Sequence, residues 1–157
     1  EIVVLDFGCI KRCDPRFADG ILDIIDACWQ DDYERVSRLY KHLGFGGKSA
    51  PESVFAPDLL KEYHSFVLAP FLTNGPFNFA TWGLKEQTQS FFMKNPSYFK
   101  LVPPSEGLLI FRVMGGLKGL MAKMNACINV HEMALDIAKR RGRLTAPPKQ
   151  SALRPPR

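Results

Sequence analysis

The 157 residues suffice for one domain with a real core and are too few for two comfortable ones. Hydrophobic residues make up 46% and charged residues 24%, the profile of an ordinary globular chain, and no uncharged apolar run reaches the roughly 20 residues of a membrane span. The net charge of +5 is uneven: seven basic residues and no acid follow Ala138, whereas the first 138 residues hold 14 Lys and Arg against 16 Asp and Glu, so nucleic-acid binding is not expected of the domain itself.

The chain opens on a β-branched run, Glu1-Ile-Val-Val-Leu, that reads as a short strand and delivers Asp6-Phe7-Gly8 at its end. A carboxylate held there suits a magnesium ion bridging phosphates, with Phe7 as anchor and Gly8 as the turn. A strand end followed by an ordinary turn also explains the triplet. No methionine precedes the run, and we expect the chain to be the C-terminal part of a longer protein. Asp14-Pro15 reads as an N-cap with proline at the first helical position, opening a helix with Phe17, Ile21, Ile24, Ile25 and Cys28 inward. Asp31 or Asp32 caps a second helix, with Val36, Leu39, Tyr40 and Leu43 inward, that stops at Gly44. Residues 44–57 read as a loop, followed by a third helix from about Asp58 to near Pro70. Turn chemistry studded with aromatics spans Thr73 to Gly83, and helices are predicted over about 84–94, 106–124 and, capped by Asn129, to about Arg141. The fold class is therefore mainly α: one short N-terminal strand followed by about six helices. The polar, proline-rich segment 142–157 is expected to be a disordered basic tail.

Several motifs fail on spacing or context. Cys9, Cys13, Cys28 and Cys127 match no usual zinc pattern and are expected to be reduced thiols. Gly44-Phe-Gly-Gly-Lys-Ser49 has two residues where a phosphate loop has four, and it follows a helix instead of a strand. His131-Glu132 lacks the second histidine of a zinc-protease helix, since position 135 is Leu135. Ala50-Pro51-Glu52 would end a kinase activation loop, but two capped amphipathic helices fill the interval. Asp19, Asp23 and Asp26 form an acidic helix face that is solvated, holds a cation or docks a basic partner. In the 106–124 helix, Arg112, Gly115, Gly116, Gly119 and Lys123 fall within about one-third of the circumference. Three interior glycines cost roughly 1 kcal/mol each. We expect close approach of another helix to compensate, with a lipid headgroup or phosphate as the alternative. The aromatics from Phe66 to Phe99 read as core or as an exposed lipid-binding patch.

Val3-Val-Leu-Asp6-Phe7-Gly8 running into a helix-rich segment, and later Pro103-Pro-Ser-Glu-Gly-Leu-Leu-Ile-Phe-Arg112-Val-Met-Gly-Gly-Leu-Lys-Gly-Leu, resemble the UbiB/AarF (ADCK-type) atypical kinase-like family. The resemblance covers most of residues 1–141 and implies the C-terminal lobe of a kinase-like domain. It further implies Mg2+ and ATP as cofactors of the full-length protein, ATPase or small-molecule kinase activity, and support of ubiquinone or other prenyl-lipid metabolism. By position Asp6 is the metal ligand, with Phe7 and Gly8 completing the nucleotide-binding motif, and no catalytic residue is carried over. The implied partners are the missing N-terminal lobe of the same protein and a membrane or prenyl-lipid surface, with the protein cytoplasmic or peripheral to a membrane. The alternative reading is a non-enzymatic helical interaction domain that binds a protein or lipid partner.

Overall fold

The computed structural model describes residues 12–149, which form a mainly α fold. Seven α-helices occur among these residues: α1 Pro15–Trp29, α2 Tyr33–His42, α3 Pro57–Val67, α4 Ala69–Leu72, α5 Leu84–Lys94, α6 Ser105–Lys123 and α7 Val130–Arg140. Short 3-10 turns lie at Glu52–Phe55, Phe79–Thr81 and Pro96–Lys100. The expected strand at residues 1–5 lies outside the described residues.

Local chemistry sets the helix boundaries. The Asp14 carboxylate accepts from the Arg16 amide at 2.9 Å, and Pro15 starts α1 without needing a donor. Asp32, not Asp31, caps α2, accepting from the Arg35 amide at 2.9 Å. Asp31 instead takes a left-handed conformation (φ 56°) in the tight α1–α2 turn, a role its short polar side chain tolerates. Asn129 caps α7 through its side-chain oxygen and the Glu132 amide. Two proline effects shift the third helix: Pro57 begins α3 one residue early, and the chain breaks at Leu68 so that Pro70 sits in the first turn of α4.

The glycine-rich segment after α2 is a helix stop and turn. Gly46 has φ +76°, its amide donates to the Val102 carbonyl at 2.8 Å, and a Cβ there would stand 2.4 Å from that of Ala50. Only glycine fits without local rearrangement. The region expected as turns contains half of a two-residue antiparallel bridge, β1 Phe77–Asn78 against β2 Cys127–Ile128, with Phe77 opposite Ile128. Its partner lies some 50 residues away in sequence, so no local pattern announces it.

The core lies between α1, α2, α3 and α5. Phe17, Ile24, Ile25, Cys28 and Trp29 of α1 meet Tyr33, Val36 and Tyr40 of α2 and Leu60 and Phe66 of α3. Of the aromatics between Phe66 and Phe99, Phe66, Phe79, Phe91 and Tyr98 are buried, and the Tyr63 ring lies 5.0–5.6 Å from those of Phe66, Phe91 and Tyr98. That stretch is therefore largely core, with Phe99 as its exposed member.

Two buried histidines pin the helices together. The His64 ring, 1% exposed, lies between the Tyr40 hydroxyl (2.7 Å from Nε2) and the Cys28 thiol (3.8 Å from Nδ1). Burial pushes its pKa down to about 3 and raises that of Cys28 to about 12, so imidazole and thiol are both neutral. His131 on α7 donates through Nδ1 to the Phe71 carbonyl at 2.8 Å, where the Trp29 indole N–H also donates at 3.0 Å. One carbonyl near the end of α4 thus ties α1 to α7, and it is one of the orphan carbonyls every helix end must satisfy. Both histidines are structural.

Candidate functional site

Asp6, Phe7 and Gly8, the cofactor-binding and metal residues expected from sequence, lie outside the described residues. Among the described residues no group of three or more His, Cys, Asp or Glu is arranged to hold a metal ion. Cys13, Cys28 and Cys127 are unpaired thiols. Two surfaces carry the remaining functional information: α6, and the face of α1 opposite the core.

α6 reverses the usual amphipathic arrangement. Gly107 is its one buried residue; near its N-terminus Phe111 meets Phe45 edge-on at 6.2 Å, and farther along Lys118 lies 5.9 Å over the Trp82 ring. On the far side, Leu109, Val113, Leu117, Leu120 and Met124 are 39–67% exposed. At 100° per residue these five fall within an arc of about 80°, where a solvent-facing helix normally carries polar groups. Among the described residues, the helix expected to pack on Gly115, Gly116 and Gly119 is not found. A Cβ at any of the three would meet nothing within 4 Å, so among the described residues their helical cost goes uncompensated. The glycine pattern was legible in the sequence, but whether a neighbour of the same chain filled it was not. No described helix is long and apolar enough to cross a membrane.

The acidic face of α1 is occupied by the chain's own basic segment. Arg141 pairs with Asp19 at 2.6 Å, and Arg143 pairs with Asp23. Asp26 is fully buried; its carboxylate accepts from Arg35 at 2.7 Å, from the Thr145 hydroxyl at 2.7 Å and from the Thr145 amide at 3.1 Å. Farther along, the Lys149 amide donates to the Trp29 carbonyl at 3.0 Å, and the Gln30 side chain donates to the carbonyls of Ala146 and Pro147. Residues 143–149 are therefore a strap laid along α1, which corrects the disordered-tail expectation for that stretch; residues 150–157 lie outside the described residues. Composition misjudged it because a polar segment needs no core of its own when a ladder of carboxylates supplies partners. The available signal was the alternation Arg141-x-Arg143-x-Thr145 set against acids one helical turn apart.

The described residues thus define a mainly α domain with an apolar helix face left open and its acidic face filled from within. In sequence the chain is similar to the atypical kinase coq-8, mitochondrial, of Caenorhabditis elegans, with 23% identity over 129 residues. The match covers 82% of this chain and 17% of that protein, so the chain spans about a sixth of the relative's length. No family model and no solved structure matches. This is a distant likeness, in keeping with a kinase-like domain of the UbiB type.

Proposed function

We propose that the chain is the C-terminal lobe of a UbiB/AarF-type kinase-like protein, an ATPase or small-molecule kinase supporting ubiquinone or other prenyl-lipid metabolism. The observation that carries this reading is the similarity to an atypical kinase along 82% of the chain. The Asp6-Phe7-Gly8 triplet agrees with it, placed just ahead of the helical region that Asp14 opens.

In the complete protein Asp6 would hold magnesium, which would supply positive charge at the phosphates of ATP. The test is Asp6→Asn in the full-length protein. ATP turnover should fall by at least about a hundredfold with the helical circular dichroism unchanged, as expected when charge stabilisation at a phosphoryl site is removed. Unchanged turnover would refute the assignment.

The open stripe on α6 favours a second reading, a helical interaction domain whose partner binds there. In that case Asp6→Asn has no effect, whereas Leu117→Asp abolishes partner binding.

A further inference from the structure

The strap carries a feature that neither the kinase-like reading nor the interaction-domain reading uses. Thr145 is an exposed residue, yet its hydroxyl donates to a carboxylate, that of Asp26, which solvent does not reach. Arg140, Arg141 and Arg143 precede it, a density of positive charge that an acidic substrate groove of a protein kinase selects. We propose that Thr145 is a phosphorylation site for an arginine-directed protein kinase, and that phosphorylation detaches residues 143–149 from α1.

The chemistry is ordinary phosphoryl transfer. The Thr145 oxygen forms a bond to the γ-phosphorus of ATP, the bond from that phosphorus to the β–γ bridging oxygen breaks, and ADP leaves. The hydroxyl proton passes to the catalytic carboxylate of the modifying kinase.

The consequence follows from geometry and charge. Phosphorylation removes the proton that Thr145 donates to Asp26 and places about −1.5 to −2 of charge beside a buried carboxylate. Arg35, 2.7 Å from Asp26 and 3.4 Å from the Thr145 oxygen, is the cation nearest both groups, and one positive charge cannot serve the two anions. Arg143 is committed to Asp23 and Arg141 to Asp19. The Arg143–Asp23 ion pair is partly exposed and worth only about 1 kcal/mol or less, and the other anchors are Leu144 against the core and hydrogen bonds of the Lys149 amide to the Trp29 carbonyl and of Gln30 to the Ala146 and Pro147 carbonyls. With its contact to the buried Asp26 turned repulsive, the strap should leave, uncovering Asp23 and Asp26.

The experiment incubates the purified chain with Mg-ATP and the catalytic subunit of cyclic-AMP-dependent protein kinase, then maps phosphate by mass spectrometry and follows amide hydrogen exchange. Phosphate should appear on Thr145 and not in Thr145→Ala, and exchange at the Thr145 and Lys149 amides should accelerate at least about tenfold, as expected for release of a locally protected segment. Because a docked strap can hinder the kinase, Asp23→Asn, which loosens it, is treated in parallel. Absence of phosphate on Thr145 in both proteins overturns the site. Phosphate on Thr145 with unchanged exchange overturns the release.

Discussion

Acid sensitivity should be governed by a single imidazole. His64 is buried between Tyr40 and Cys28, and burial depresses its pKa to about 3, whereas in the unfolded chain it titrates near about 6.5. The folded state therefore resists the proton that the unfolded state accepts, so the stability held above the unfolded pKa is lost as pH falls toward the folded one. Each pH unit in that window costs about 1.4 kcal/mol, so going from about pH 7 to about pH 5 should remove roughly 2 kcal/mol. For a chain of this size that is a fall of about 4–8 °C in melting temperature. The carboxylates that hydrogen-bonded arginines hold low, Asp14 beside Arg16 and Asp19 beside Arg141, lie below the ordinary carboxylate range and so add little between about pH 7 and about pH 5. Thermal melts at the two pH values should show the fall in the native chain. In His64→Gln it should shrink to a small residue, even though the variant is less stable overall. An equal fall in both proteins would refute the argument.

Tyr40→Phe removes the hydroxyl 2.7 Å from His64 Nε2 and leaves a buried ring nitrogen unsatisfied, at a cost of about 1–3 kcal/mol in urea unfolding. Gly46→Ala should cost at least about 1–3 kcal/mol, since φ is +76° and the new Cβ would meet that of Ala50. By contrast, Gly116→Ala on α6 should stabilise the isolated chain by up to about 1 kcal/mol, because the site is helical and open; a loss of stability would mean that something packs there. Leu117→Gln with Leu120→Gln should leave the melting temperature nearly unchanged while lowering binding of a hydrophobic dye, since both side chains are exposed.

Much of the fold is local in origin, and so the sequence by itself determined it. Asp14-Pro15, Gly44 and Asn129 act within a few residues of themselves, and the periodic placement of Phe17, Ile24, Ile25 and Cys28 needs only one helix to be recognised. The resemblance to an atypical kinase family was legible for a similar reason, because it rests on linear order; of the site it implies, Asp6, Phe7 and Gly8 lie outside the described residues.

The tertiary structure decided what depends on distant partners. Only it shows that Trp29 and His131 share the Phe71 carbonyl, that His64 is a neutral core group and that β1 finds β2. It also separates two patterns that look alike in one dimension. The acids of α1 are filled by a segment about 120 residues away, whereas the glycines of α6 meet nothing among the described residues. Sequence spacing records which face of a helix a residue occupies. Whether another part of the chain arrives to cover that face depends on long-range packing, and spacing carries no information about it.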